Sequence, residues 1–168
     1  SKIINTAKKI LNDDDIVMLL SRYHVTNKFT HLGIWHRDGK PNILSSLQLN
    51  IYLYDEVGME IIPNSHTRKN SDEEEKVLSN FRYKDLPSQS AITAKAGEVC
   101  VFNPSIIHRG KTFKDRAHLH FRFIRKKQLN QKFFSINKNY LKKLSINNDL
   151  FKVLENLLDY ENREFRLK

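Results

Sequence analysis

The spacing of apolar residues changes along the chain from a helical to a strand-like pattern. KIINTAKKIL, near the amino terminus, places apolar side chains at helical intervals, and from Ile16 to Val25 the pattern is that of an extended segment. Ser45 to Asp55, SSLQLNIYLYD, alternates apolar and polar residues as a half-buried strand does. The sequence therefore predicts one amino-terminal helix followed by strands.

Further short segments have the composition of strands and are separated by turn residues. They are Glu60 to Pro63, Ala91 to Ala94, Glu98 to Asn103 and Arg116 to Arg125. Many short strands with turns between them are typical of a β-sandwich or barrel. We expect a mainly β protein with flanking helices.

Two helices are predicted outside this β pattern. Ser71, with Glu74 three residues later, forms a capping box ahead of KVLSNF. After Lys126 the pattern is helical again, and Asn148 or Asp149 can cap a helix with one apolar stripe. The stripe consists of Leu150, Val153, Leu154, Leu157 and Leu158. We expect it to pack against the sheet, and recruitment of a partner is the alternative.

Length and composition favour a single globular domain. The chain has 168 residues, of which 39% are hydrophobic, and its one cysteine, Cys100, excludes an intrachain disulfide. It has no apolar run of about 18 residues and no signal-peptide pattern. These features predict a cytoplasmic protein without a membrane span. Since the sequence begins with Ser, we expect residues to be missing before position 1.

The net charge of +10 raises the question of nucleic-acid binding. The basic residues are spread along the chain, however, and the densest stretch, Arg122 to Lys143, has neither an RNA-recognition motif nor zinc-finger spacing. A solvated basic surface is the favoured interpretation, and it would suit an anionic small molecule. A basic nucleic-acid-binding or nucleic-acid-modifying protein is the alternative.

Candidate metal ligands occur in two segments. His36 and Asp38 lie in GIWHRDGKP, and His108 follows in GEVCVFNPSIIHRG. Two imidazoles and one carboxylate are the ligands of the facial triad that binds non-haem Fe(II). On a strand, residues two apart point to the same face, so His36 and Asp38 can reach one ion while Arg37 points away. The alternatives are a surface turn for the pair and a satisfied core position for His108.

A basic strand follows the second histidine. The alternation of RAHLHFRFIR places four basic side chains on one face, namely Arg116, His118, His120 and Arg122. A ligand carboxylate buried in a pocket needs a permanently charged, bidentate partner, and arginine is both. Arg116 is the first candidate, and Arg122 on the same face competes with it. His118 and His120 form a His-x-His pair, for which metal binding is a weaker hypothesis.

These motifs together resemble the phytanoyl-CoA dioxygenase family of Fe(II)/2-oxoglutarate-dependent oxygenases, over about residues 30–124. The matching segments are WHRD, LQLNIYLYD, GMEIIPNSH, AGEVCVFNPSIIHRG and DRAHLHFRF. Asn64 stands where the family commonly has glycine. The resemblance implies a double-stranded β-helix, a jelly-roll, cupin-like barrel. We expect one oxygenase domain over 1–168, with the barrel at about 15–125 and a helical segment at about 126–168.

The resemblance also implies roles for individual residues. His36, Asp38 and His108 match the Fe(II) ligands, and Arg116 matches the arginine that binds the distal carboxylate of 2-oxoglutarate. The implied reaction uses O2 to hydroxylate a small molecule while 2-oxoglutarate is converted to succinate and CO2. Because related halogenases replace the carboxylate ligand by a small residue, Asp38 favours hydroxylation. A metal-binding cupin-like protein or an inactive relative is the alternative.

Two polar residues on the strand after His-x-Asp are further candidates. Gln48 and Asn50 are two residues apart and therefore share a face. On the inner face they would hydrogen-bond the cosubstrate, and on the outer face they would be exposed to solvent. The alternation alone does not choose between the two.

Overall fold

The structure is a computed structural model that describes residues 2–26, 33–111 and 115–128. The predicted carboxy-terminal helix beginning near Asn148 lies outside these residues. The chain divides into two compact units, the first formed by Ser1–Ser21, Ser45–Leu47 and Arg122–Lys168, and the second by Arg22–Leu44 and Gln48–Phe121. The organisation as a single oxygenase domain stays a prediction.

The described residues form two helices and seven strands. In chain order these are α1 (Lys2–Leu11), β1 (Ile16–Thr26), β2 (Ser46–Tyr52), β3 (Glu56–Ile61), α2 (Asp72–Asn80), β4 (Ser90–Ala94), β5 (Val99–Phe102), β6 (His108–Gly110) and β7 (Arg116–Arg125). Short 3-10 turns occupy Ser65–Thr67 and Lys126–Gln128. Neither described helix is long and apolar enough to cross a membrane.

Most of the predicted elements within the described residues are confirmed, with differences in their bounds; β2, for example, ends at Tyr52 and not at Asp55. The strand predicted at Glu60 to Pro63 spans Glu56–Ile61 in the structure. Its start was not predicted because a buried carboxylate and Gly58 interrupt the apolar pattern there. Strand β6 was not predicted, since its three residues, His108–Gly110, are too few to show a periodicity. Asn64 adopts a φ of 59°, a left-handed conformation that asparagine tolerates better than most residues. Asparagine can therefore adopt this conformation at a position where the resembled family commonly has glycine.

The described strands form two sheets, in which the pairs β2–β5, β3–β4 and β3–β6 are antiparallel. One has the strand order β1-β7-β2-β5, and the other has the order β4-β3-β6. In the first sheet Gln48 lies opposite Phe102 and Asn50 opposite Cys100, so these four residues share one face. In the second sheet Ile61 lies opposite His108. The architecture is a double-stranded β-helix, as predicted.

An apolar cluster lies directly behind the predicted metal ligands. Its members are Trp35, Ile62, Val77, Leu86 and Ile107, all with at most 3% of their surface exposed. Trp35 precedes one candidate ligand and Ile107 precedes the other. Burial of these two side chains therefore fixes the backbone on which the adjacent histidines stand.

Helix α2 begins at the predicted capping box. The Ser71 hydroxyl accepts a hydrogen bond from the backbone N–H of Glu74, and the Glu74 carboxylate accepts one from the backbone N–H of Ser71. Arg68 also donates to both oxygens of Glu74, which lowers the pKa of this carboxyl. The box satisfies two backbone donors that would otherwise lack partners at the start of the helix.

The first unit has its own apolar contacts. Helix α1 buries Ile4, Ala7 and Leu11, which recur at helical spacing. The Arg125 Nε donates to the backbone oxygen of Leu11 at 2.8 Å. This bond satisfies a carbonyl at the end of the helix, where no helical partner is available.

Candidate metal centre

The two predicted histidine ligands are held side by side by backbone hydrogen bonds. The N–H of His36 donates to the oxygen of His108, and the N–H of His108 donates to the oxygen of His36, both at 3.0 Å. The ring centroids are 4.2 Å apart. One ligand atom from each of His36, Asp38 and His108 lies within 4.8 Å of the others. Residues distant in sequence thus form one compact group.

The route by which Asp38 reaches this group differs from our expectation. His36 forms a single isolated bridge and Asp38 lies in a bend, so the segment is not a regular strand. The N–H of Asp38 instead donates to the oxygen of Pro104 at 2.9 Å, which ties the bend to the segment preceding His108. The carboxylate Oδ1 lies 3.7 Å from His36 Nε2. His36 and Asp38 therefore lie near one another as expected, but strand alternation is not the reason.

Hydrogen bonds to backbone carbonyls select the same tautomer for both histidines. Nδ1 of His36 lies 2.8 Å from the oxygen of Ile34, and Nδ1 of His108 lies 2.8 Å from the oxygen of Ile106. A carbonyl oxygen only accepts, so each Nδ1 must carry the proton. Each Nε2 is then a lone-pair donor, which is the arrangement in which imidazoles bind metals.

The three side chains differ in their access to solvent. His108 is buried, whereas the side chains of His36 and Asp38 are 35% and 28% exposed. Phe102 packs edge-on against His108 with 5.4 Å between ring centroids. The group is therefore backed by the sheet on one side and reachable by a small molecule on the other.

Arg37, between two of the candidate ligands, anchors the bend from behind. Its guanidinium donates to the backbone oxygens of Ser65 and Ser105 and to the Asn70 side chain. The expectation that Arg37 points away from the ligands agrees with these contacts. They hold the backbone on which His36 stands.

Arg109, a buried arginine that was not among the predicted site residues, supports the group. Arg109 is 1% exposed, and its guanidinium lies 4.4 Å above the Trp35 ring centroid. It donates to Glu60 at 2.6 Å, to the oxygen of Tyr83 at 2.9 Å and to the Asp85 carboxylate. The Arg109 guanidinium holds the pKa of Asp85 at about 2. Its only sequence signal was an arginine directly after a candidate ligand.

Gln48 and Asn50 lie in the interior. Each is 6% exposed, and Gln48 Nε2 donates to Asn50 Oδ1 at 3.4 Å. The alternative in which both face solvent is therefore wrong. Because Gln48 lies opposite Phe102, and Phe102 contacts His108, this polar pair shares the sheet face that leads to the candidate ligands.

Arg116 lies on the inner face of β7 and contacts a carboxylate of the protein. It is 6% exposed, and its Nη1 donates to Glu56 Oε1 at 3.1 Å and to the oxygen of Gly58 at 3.5 Å. Burial raises the pKa of Glu56, and the charge of Arg116 opposes this rise. Glu56 was not predicted as a site residue, because it precedes the predicted strand and has the residue type of a turn. Arg122 belongs to the first unit, and its competing role stays a prediction.

The remaining histidines of β7 form an aromatic group with β1 and β2. His24 and His118 stack with 4.9 Å between centroids, and Tyr52 lies 6.0 Å from His118. Desolvation, followed by the charge of Arg116, lowers the pKa of His118 to about 3, so it is neutral near pH 7. Among the described residues the one metal-ligating group of three is that of His36, and it does not include the His-x-His pair.

Comparisons with known proteins identify a fold and no family. No protein-family model matches the chain, and no curated protein matches it. Solved structures do match. EctD from S. alaskensis with 2-oxoglutarate and 5-hydroxyectoine is 19% identical, with a TM-score of 0.60 over 82% of this chain and 54% of that chain. HygX from Streptomyces hygroscopicus with nickel and 2-oxoglutarate bound is 13% identical, with a TM-score of 0.60 over 80% and 64%.

A third match comes from a protein with a different named activity. SnoN, a non-heme alpha-ketoglutarate-dependent epimerase from nogalamycin biosynthesis, is 14% identical, with a TM-score of 0.55 over 74% of this chain and 55% of that chain. The chain thus spans between half and two thirds of the length of these three proteins. At such identities the likeness establishes the shared double-stranded β-helix alone.

Proposed function

We propose that the chain is an Fe(II)- and 2-oxoglutarate-dependent dioxygenase in which His36, Asp38 and His108 bind the metal. The observation that carries the proposal is the pair of hydrogen bonds that place the proton of both imidazoles on Nδ1 and leave each Nε2 lone pair available, with one ligand atom of each histidine within 4.8 Å of one from Asp38. Two imidazoles and one carboxylate suit non-haem Fe(II) and leave coordination positions for cosubstrate and O2. The nickel, iron and 2-oxoglutarate in the matching structures support this choice.

Arg116 is proposed to bind the distal carboxylate of 2-oxoglutarate. Its guanidinium is buried, and a bidentate contact with an arginine offsets the cost of burying a carboxylate. Gln48 and Asn50 supply amide groups on the inner face that can hydrogen-bond the cosubstrate. These residues orient a dicarboxylate and exclude water from its distal end.

The proposed reaction is hydroxylation of a small molecule. Bound Fe(II) would activate O2, with 2-oxoglutarate supplying two electrons as it is converted to succinate and CO2, so that one oxygen atom enters a C–H bond of the substrate. The exposed edges of His36 and Asp38 would admit that substrate. The charge of +10 favours an anionic one. Kinship with the phytanoyl-CoA dioxygenase family and a cytoplasmic location belong to the same proposal.

One observation favours a second candidate function. Arg116 already pairs with a buried carboxylate, that of Glu56, and a chain in which this pair is permanent would bind a metal without 2-oxoglutarate. Such a chain would be a metal-binding cupin-like relative. The two candidates differ in whether 2-oxoglutarate binds at all.

Anaerobic addition of Fe(II) and 2-oxoglutarate separates them. An oxygenase should develop the weak visible charge-transfer absorption that is a property of the resembled family, and on admission of air it should release succinate. Arg116→Met should lose both at cosubstrate concentrations that saturate the wild type, whereas Arg82→Met, an exposed arginine, should keep them. Metal binding with no absorption change would favour the cupin-like candidate. If the absorption and the succinate release are observed, succinate release that depends on an added small anion would identify the substrate.

A further inference from the structure

We propose that Glu56 is an internal counter-ion of Arg116 that takes up a proton when a ligand carboxylate binds this arginine. Binding of a dicarboxylate would then be coupled to proton uptake by the protein. The identity of the natural ligand as 2-oxoglutarate rests on the proposed function, whereas the ion pair itself is independent of it.

The ion pair lies where two strands begin. Glu56 is the first residue of β3 and Arg116 the first of β7, and their side chains are 3% and 6% exposed. A Cβ added at Gly58 would lie 3.0 Å from the backbone oxygen of Lys111 and 3.1 Å from Glu56 Oε1, both closer than a Cβ ordinarily approaches, and 3.4 Å from Arg116 Nη1. Glycine at this position therefore leaves room for the Glu56 carboxylate beside the strand.

Two titratable groups near Glu56 carry no charge near neutral pH, and neither does His118, which lies near Arg116. Tyr52 from β2 and Cys100 from β5 face Glu56, and burial raises the pKa of both, which keeps them protonated. The residue of β4 opposite Glu56 is Ala94. Arg116 is thus the one cation that acts on Glu56 among the described residues.

The hydrogen bonding between Glu56 and Arg116 is less complete than in a carboxylate–arginine pair whose carboxylate serves to position the arginine. Two oxygens of a carboxylate that positions an arginine usually accept two parallel hydrogen bonds. Here Oε1 accepts from Nη1, while Oε2 is buried with no hydrogen-bond partner among the described residues. Burial outweighs the arginine in raising the pKa of Glu56. Burial therefore favours the protonated form of this carboxyl group, and Oε2 is placed to carry the proton.

A ligand carboxylate on Arg116 would shift this balance. When two carboxylates share one site, the pKa of one of them rises strongly. Glu56 takes a proton from solvent, its charge disappears, and the ligand carboxylate becomes the counter-ion of the arginine. Because the bound state holds the extra proton, affinity falls as pH rises above the ordinary carboxyl range.

Calorimetry can count these protons with two probes. Glutarate with the metal-free protein, and 2-oxoglutarate with the Ni(II)-loaded protein, are each titrated at alkaline pH in buffers of different ionisation enthalpy. The wild type should take up to about one proton per dicarboxylate, so its affinity should fall by up to about tenfold per pH unit. With 2-oxopentanoate, which lacks the distal carboxylate, the Ni(II) protein should show no such uptake.

Glu56→Gln supplies the decisive comparison. This variant should bind dicarboxylates more tightly than the wild type at alkaline pH and should show no linked uptake. Glu60→Gln alters the other buried glutamate–arginine pair and should leave the linkage intact. Weaker binding in Glu56→Gln would overturn the proposal and make Glu56 a positioning residue. Uptake that is absent from the wild type, or that persists in Glu56→Gln, would also overturn it.

The same titrations keep this proposal separate from the proposed function. Glu56-dependent uptake with glutarate in a protein that binds no metal would support the ion-pair proposal and contradict the oxygenase. Binding of 2-oxoglutarate to the Ni(II) protein without proton uptake would do the reverse. If no dicarboxylate binds in any form, the ion-pair proposal is wrong, and binding of Ni(II) alone would then support the cupin-like candidate.

Discussion

Replacing Arg109 by methionine is expected to be among the most destabilising single changes in the second unit. The guanidinium is 1% exposed and pairs with Glu60, whose side chain is 9% exposed. It also stacks over Trp35 and donates to the backbone oxygen of Tyr83. Methionine fills a similar volume and removes every one of these polar contacts. It leaves the buried Glu60 carboxylate without its nearer charge partner, so that Lys111 Nζ, 3.8 Å from Oε1, is the cation that remains beside it.

The magnitude follows from the loss of the nearer partner of this buried carboxylate. Removing one partner of a buried ion pair costs about 3–5 kcal/mol, more than the pair itself contributes relative to apolar groups. For a chain of this size each kcal/mol lowers the melting temperature by about 2–4 °C, so a fall of about 6–20 °C is expected. Adding Glu60→Leu removes the buried negative charge, and the double variant should recover most of the loss.

Thermal and urea unfolding of the three variants measure these effects. Lys127→Met is the control. Lys127 Nζ lies 3.3 Å from Asp13 Oδ2, and the Lys127 side chain is 73% exposed. Exposed ion pairs of this kind contribute about 0–1 kcal/mol. If Arg109→Met loses no more stability than this control, the buried network does not hold the fold as argued. A double variant less stable than Arg109→Met would contradict the cost assigned to the buried Glu60 charge.

Two further predictions concern the surface of the second unit. Ser71→Ala removes the hydroxyl that accepts from the Glu74 N–H and should lower the free energy of urea unfolding by about 1 kcal/mol. Ser79→Ala in the same helix should lower it by less than half of that. Equal losses in the two variants would contradict the capping role. Arg109 depresses the pKa of Asp85 from an ordinary value of about 3.9 to about 2, so the stability this pair contributes is complete above about pH 4 and is lost as pH falls towards 2. Wild-type unfolding free energy should therefore fall more steeply over this interval than that of Asp85→Asn, and parallel curves would refute the assignment.

Regular elements were predictable because their periodicity extends over many residues. The segment 116–125 alternates throughout and is a strand over that whole range. The capping box at Ser71 is a local signal, and it begins a helix as expected. Strand β3 was placed four residues late because Glu56 looks like a turn residue until its arginine partner is known.

The candidate metal site was only partly predictable. Residue types suggested His36, Asp38 and His108, but the contacts that bring them together are a single bridge and a backbone bond to Pro104. Such contacts join distant segments and leave no pattern in the sequence. Arg109 and Glu56 were missed for the same reason, since a buried charge is explained only by its partner.

Metal binding tests the central claim most directly. Titration of the metal-free chain with Mn(II), followed by electron paramagnetic resonance of the free ion, should give one bound ion per chain. His108→Ala should weaken binding by more than the roughly 10–100-fold that loss of an outer-shell partner costs. His66→Gln, which alters a histidine outside the site, should bind as the wild type does. A wild type that binds no Mn(II), or a His108→Ala variant that binds it equally well, would contradict the assignment of His36, Asp38 and His108 as metal ligands.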